Sequence, residues 1–509
     1  MLTPLGGAAG RALGRSTPAP TGGWNARDSL ADMAPDHAVQ LDNWFPQTSN
    51  VRIRRGFAQH ASGVGAGAVD TLFEFAAGIT RKLLAAGGGA IFEATAAGAV
   101  GAALGSGFAC DRWQHVQFGG YAILVNGADT PRKFDGATLT TTTITGAGLT
   151  ATNLIAVNEF KSRLFFVEKD TLNAWYLGTN AIAGAAGKLD FSTFCKLGGT
   201  LAAMGTWSRD GGAGADDVAV FVTSMGEALV FQGSDPADPN DWALTGVFRI
   251  GAPVGRRCLM KLGPDLVVIT ADGFVPLSRV LPVDRGAPQF ALSDRIGNAV
   301  NAAVRDSGAR FGWEGIVYPK AEMALFNVPA AAGVTAQQFV MNLATGAWCR
   351  FTGMNANCWA LGADDLYFGG AGGKVYRADT GTADDGATIV ADAKSAFTYF
   401  GAAGRLKRFT MVRPNLASDG APVAALDLNV DFEDRAPVSI PTLSGAGNAA
   451  WDVTGWDVGE WGDAAQVVKD WLGVTGVGYA AALRMRIATD VLTVSWQSTD
   501  WLFEPGGIL

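Results

Sequence analysis

DVAVFVTSMGEALVFQGS, residues 217–234, reads as a β-hairpin: an apolar run, a turn at Met225-Gly226 and a second apolar run. Gly at the tip suits the positive φ of a tight hairpin. The same unit recurs as LLAAGGGAIFEA from Leu83, YAILVNGADTPRKFDG from Tyr121 and SRLFFVEKDTLNAWYLGT from Ser162. It returns as DLVVITADGFVPLS from Asp265, MALFNVPAA through QQFVMNLATGAWCRF from Met323, and LYFGGAGGKVYRADT from Leu366. Asp272-Gly273, Thr345-Gly346 and Gly372-Gly373 supply further turns. Successive starts lie 38 to 58 residues apart, and a period of roughly 40–50 residues of paired strands is the mark of a β-propeller whose blades are small four-stranded sheets. The spacing is irregular and carries no WD or kelch signature, so divergent blades are expected. A stack of unrelated hairpins in one or two β-sandwiches is the competing arrangement.

Composition agrees with a β chain. The 509 residues include 68 Gly, too many for a helix-rich protein and without a collagen period, so many tight turns are implied. With 48% hydrophobic and 17% charged residues, the chain has ample material for a core. A net charge of −8 argues against a basic cleft that grips nucleic acid. Cys110, Cys195, Cys258, Cys349 and Cys358 are scattered and odd in number, which suits free thiols of a reducing compartment better than disulfides. No stretch has the roughly 20 strongly apolar residues that cross a bilayer, and no signal peptide is expected.

Three regions follow. Residues 1–60 read as an N-terminal arm and docking segment, in which VRIRRGF sets Val51 and Ile53 against Arg52 and Arg54 as a half-exposed strand with a basic face. Residues 61–396 read as the propeller, with one short helix near 293–305 where Ile296, Val300 and Val304 recur at helical spacing. Residues 397–509 read as a separate C-terminal β domain with long alternating strands and a Trp-rich loop at Trp451, Trp456, Trp461 and Trp471. The expected fold class is therefore all-β: an irregular β-propeller with an additional C-terminal β domain and an N-terminal arm.

No catalytic set assembles. His37, His60 and His115 share no ligand spacing and read as structural or surface imidazoles. GxSxG, HExxH and P-loop patterns are missing. The acidic stretches DPADPND from Asp235 and ADDGATIVAD from Ala383 lack the oxygen spacing of a calcium loop. Neither a cofactor nor a metal is expected. Small basic clusters stand at Arg52/Arg54/Arg55, Arg256/Arg257, Arg405/Lys407/Arg408 and Arg484/Arg486; surface charge is the plain reading, a subunit contact the functional one.

ADMAPDHAVQLDNWFPQTSNVRIRRG, from Ala31 to Gly56, resembles the opening of tail proteins of short-tailed bacteriophages. LAAMGTWSRDGGAGADDVAVFVTSMGEALVFQGSDPADPNDWALTGVFRIGAPVGRRC, from Leu201, agrees with it, as does DLVVITADGFVPLS. The chain is similar to the tail nozzle (tail hub) family, of the tail tubular protein B and packaged-DNA-stabilisation type. The likeness runs from about Trp24 to about Pro414 and again over the closing DWLFEPGG.

The resemblance implies a structural virion protein, not an enzyme: a homohexameric conduit below portal and adaptor that retains packaged DNA and conducts it at ejection. It implies contacts with the adaptor (head-to-tail connector) and with tail fibre or needle proteins. Viral dsDNA would pass through the lumen without tight binding, since an acidic lumen repels phosphates. The virion tail is the expected location, after synthesis in the host cytoplasm. Trp44, Phe45, Arg52, Arg54 and Arg55 are the candidate subunit or adaptor interface, because Trp and Arg are enriched at contacts; core packing explains Trp44 and Phe45 equally well. Replacing Arg52, Arg54 and Arg55 together by Glu is then expected to leave the monomer folded but impair assembly. The alternative is a propeller that binds or cleaves glycans, which for cleavage needs two carboxylates about 5–10 Å apart.

Overall fold

The computed structural model describes residues 12–208, 217–280, 290–331, 333–437, 466–468 and 470–506. The chain forms two compact units, one made of Phe57–Phe339 with Gly353–Asp379, the other of Met1–Gly56, Val340–Thr352 and Thr380–Leu509.

The first unit is a β-propeller. Among the described residues, seven innermost strands follow one another: Thr71–Ala77, Gln114–Phe118, Leu154–Phe160, Leu201–Ser208, Leu259–Leu262, Glu314–Tyr318 and Cys358–Gly362. Each packs against the next, and the last returns to the first, so the ring is closed. The first four blades each show four strands, and the fifth shows three. In the sixth, Glu314–Tyr318 pairs with Met323–Val328. There Gln338 Nε2, on the strand Gln337–Asn342, donates to Asn327 Oδ1 at 2.9 Å.

The stretch at residues 217–234 explains why blades stack. Asp217–Thr223 and Glu227–Gln232 are neighbouring antiparallel strands of the fourth blade, and Gly226 turns between them at φ 84°. Successive side chains of a strand point to opposite faces. Val218, Val220, Val222, Ala228 and Val230 therefore enter one core with Leu266, Val268 and Val275 of the fifth blade. Ala219, Phe221, Leu229 and Phe231 enter another with Phe165, Val167 and Ala174 of the third. Both faces of the blade are buried, which is why the strand reads as a continuous apolar run and not as an alternation. Each of these Val, Leu and Phe side chains, fully buried, contributes roughly 1.5–3 kcal/mol.

Ring closure uses strands distant in sequence. The seventh blade takes Cys358–Gly362, Asp365–Gly369 and Val375–Ala378 from late in the chain, and Phe57–Ser62 completes it, with Phe57 opposite Ala378. Joining the two ends in one sheet removes the open edge that an unclosed ring would present. The expected helix is present after the fifth blade, as a 3-10 turn Asp294–Ile296 and the α-helix Gly297–Ser307, with Val300 and Ala303 buried.

Among the described residues, the strands of the second unit lie in two sheets. In one, the long strand Val494–Pro505 lies between Lys407–Ser418 on one side and Leu13–Pro18 with Val51–Ile53 on the other. In the other, Ala481–Thr489 lies between Ile389–Ser395 and Ala424–Val430, and Ile389–Ser395 also pairs with His37–Asp42.

These pairings move the domain limits expected at 60 and 396. From residue 12 to Gly56 the N-terminal segment is docked within the second unit. Leu13–Pro18 and Val51–Ile53 hydrogen-bond to the last strand of the chain, whereas Phe57–Ser62 is a propeller strand. The break after 396 falls inside the second unit, whose strand Ile389–Ser395 pairs over six residues with Ala481–Thr489. Trp451, Trp456 and Trp461 lie outside the described residues.

Candidate functional site

The innermost strands of the propeller enclose a cavity of about 230 Å³ at the centre of the ring. Six blades line it, through Thr71, Gln114 and His115, Asn158, Thr206, Arg256 with Arg257 and Lys261, and Glu314.

Arg257 is the hub of this channel. It sits just before the innermost strand of the fifth blade, and its Nη2 donates to Thr71 Oγ1 at 2.8 Å, Asp70 O at 3.0 Å and Trp113 O at 3.1 Å. One guanidinium thus ties the fifth blade to the first and second. Its Nη1 reaches Glu314 Oε2 of the sixth blade at 3.4 Å. Phe311 lies against it, 5.1 Å from ring centroid to guanidinium carbon, and takes Arg112 at 4.3 Å as well.

Glu314 also accepts the Trp359 backbone N–H at 3.1 Å, which adds the seventh blade to the network. Burial raises the Glu314 carboxyl above its usual range, and the Arg257 charge opposes that rise. His115 stacks on Phe73 with centroids 4.5 Å apart. Its ring is open to the channel, yet the enclosing protein and the Arg257 charge push its pKa down to about 4, so it is neutral at pH 7. Asn158 Nδ2 donates to Thr206 Oγ1 at 3.0 Å, and that hydroxyl donates to Glu159 O at 2.6 Å.

Chemically the channel offers cations and neutral hydrogen-bonding groups. Glu314 is the one carboxylate among the lining residues, and it is already paired. Among the described residues, no three His, Cys, Asp or Glu side chains gather as metal ligands.

The residues singled out for an interface all belong to the second unit, and most are interior. Trp44 is fully buried, edge-on to Trp496 at 6.1 Å. Phe45 is buried against Phe351 at 6.2 Å, with the Arg52 guanidinium over its ring at 5.7 Å. Arg54 is buried in an ion pair with Asp384. The expected basic face of VRIRRGF therefore reduces to half-buried Arg52 and exposed Arg55. The reason is that Arg54 lies beyond the strand Val51–Ile53, where the alternation no longer governs its side chain.

The other basic clusters resolve in the same way. Arg484 and Arg486 both hold Asp392. Lys407 is buried, with Nζ donating to the carbonyls of Ala402, Arg405 and Tyr479. The acidic stretches are turns and ion pairs: Asp241 accepts the N–H groups of Ser234 and Asp235, while Asp384 and Asp392 meet arginines. Trp471 is exposed with Arg413 over its ring at 4.8 Å. All five cysteines are free thiols, and burial pushes the Cys258 thiol up to about 12.

In the sequence Arg256 and Arg257 stand out only as a basic pair, and Glu314 carries no signal. The usable signal was GRRC immediately before a blade's first strand, a position that faces the ring axis.

The sequence matches no protein-family model and no curated protein. Among solved structures it is similar to the computationally designed Ika8 protein, at 13% identity over 64% of this chain and 100% of that one, TM-score 0.36. It is also similar to a 6-phosphogluconolactonase-type protein of Bacteroides fragilis, at 11% identity over 60% and 88% of the two chains, TM-score 0.37. A third is an exo-β-1,3-galactanase of Phanerochaete chrysosporium, at 7% identity over 76% and 95%, TM-score 0.24. Likeness at this level says nothing of activity.

Proposed function

We propose that this chain is a structural protein of a phage tail nozzle, homohexameric in the virion, which meets an adaptor and tail fibre or needle proteins and conducts duplex DNA between its copies. The resemblance of residues 31–56 and 201–258 to that family carries the reading. Among the described residues that line the channel, the one carboxylate, Glu314, is paired with Arg257.

The propeller axis is not the conduit. A cavity of about 230 Å³ with Arg257 tied across it has no room for a duplex, whose major groove alone is about 12 Å wide. The lumen belongs to the ring of copies. The chain's net charge of −8, repeated round such a ring, would let phosphates slide.

Co-sedimentation with a cognate portal–adaptor complex tests the proposal. Six copies bound per adaptor ring are expected; failure to bind, together with release of reducing sugar from host polysaccharide, would replace it with the glycan-cleaving alternative.

A further inference from the structure

We propose that the propeller channel binds a small oxyanion, a phosphate- or carboxylate-bearing molecule, between Arg256, Arg257 and Lys261. This site is independent of the nozzle reading and would hold for any role of the chain.

Charge leads to this assignment. Three cationic side chains and one carboxylate line the cavity, which leaves a surplus of two positive charges inside a protein of net charge −8. Glu314 is matched to Arg257. Among the described residues, Arg256 and Lys261 have no carboxylate partner; Arg256 Nη1 makes only a long contact of 3.4 Å to Asn126 O, and both side chains are exposed to the cavity. Cations inside low-dielectric walls focus their field on the enclosed space and draw in counter-ions.

Shape and hydrogen bonding narrow the class. Arginine presents a planar fork that matches carboxylate and phosphate oxygens, and lysine adds a point charge with three donors. Gln114 and the neutral ring of His115 add donors from the second blade. The volume admits one oxyanion with a few waters and excludes a polymer. The apolar lining, Leu72, Val157 and Met204 among it, leaves space for a short carbon skeleton beside the charged group.

Calorimetry at constant ionic strength, with chloride as the balancing ion, tests the site on the full chain. Inorganic phosphate and succinate are the two probes, and they separate the phosphate source from the carboxylate source. At least one is expected to bind with one site per chain. R256M and K261M, which keep the aliphatic stems, should each weaken it at least tenfold, and the double variant should abolish it. Thermal unfolding without ligand should be unchanged in both variants, which separates lost binding from lost folding. If neither probe binds, or if the double variant binds as the wild type does, the site does not exist; if a variant fails to fold, K261Q with its shorter neutral side chain must reproduce the loss.

Discussion

Arg54 meets Asp384 head-on: Nη1 stands 2.8 Å from Oδ1 and Nη2 2.6 Å from Oδ2, across 330 residues of sequence. The side chains are only 2% and 11% exposed. The same guanidinium donates from Nε to Asn43 Oδ1 at 2.8 Å and from Nη2 to the Thr352 carbonyl at 2.7 Å. Every edge of the fork is used, so this pair holds the second unit together internally.

Its disruption is expected to be costly. Removing one member of a buried pair leaves an uncompensated charge, worth about 3–5 kcal/mol. Arg54→Ala should destabilise the chain by that order in urea unfolding, and Arg54→Glu by more, since it sets two carboxylates together. Arg55→Glu should stay within about 0.5 kcal/mol, as exposed substitutions do. A triple Arg52/Arg54/Arg55→Glu chain would therefore lose stability for reasons unrelated to assembly, and Arg55 alone is the clean probe of an interface.

Two adjacent glycines should behave differently. Gly372 and Gly373 both have positive φ, 67° and 65°, so each loses about 1 kcal/mol or more on substitution. A Cβ at Gly372 meets nothing within 4 Å, whereas at Gly373 it would lie 2.3 Å from Gly65 O and 2.9 Å from Val64 O. Gly373→Ala should cost at least about 1 kcal/mol more than Gly372→Ala, by the strain of overpacking. Equal losses in denaturant unfolding would mean that the contact between this turn and the loop at Gly65 yields freely.

Arg257 and Glu314 should be strongly coupled. Arg257→Ala removes three ties to the first two blades and strands the Glu314 carboxylate, for an expected loss of about 3–5 kcal/mol. Adding Glu314→Gln should recover part of it. A double-mutant cycle measures the coupling, and additivity of the two changes would show that the pair does not act as a unit.

His115 gives a pH signature. Its folded pKa, about 4, lies below the ordinary 6.5. Above pH 6.5 the imidazole is neutral folded or unfolded and contributes nothing. As pH falls from 6.5 towards 4, the unfolded chain takes up a proton that the folded chain refuses, so stability declines over that window. The ring's access to channel water makes the decline smaller than full enclosure would give. His115→Gln should flatten the wild-type slope between pH 6.5 and 4; parallel curves for the two proteins would contradict the shift.

What was legible in the sequence was local. Met225-Gly226, Asp272-Gly273 and Gly372-Gly373 announce their hairpins, because positive φ is written in the residue type. The helix over Gly297–Ser307 shows through Ile296, Val300 and Val304. The remainder depends on pairings that no window contains. Phe57–Ser62 pairs with Val375–Ala378, and its own alternation gives no hint of that partner. Arg257 reaches Thr71 and Trp113 across 186 and 144 residues. Trp44 looked equally fit for an interface or a core, and the Trp496 ring that decides the matter comes from the other end of the chain.

In the proposed nozzle, copies of this chain form the conduit and no single propeller does. Negative-stain imaging of the purified chain, alone and with a cognate portal–adaptor complex, tests it most directly. Sixfold rings capping the adaptor around a lumen wide enough for a duplex are expected. Persistent monomers that ignore the adaptor would contradict it.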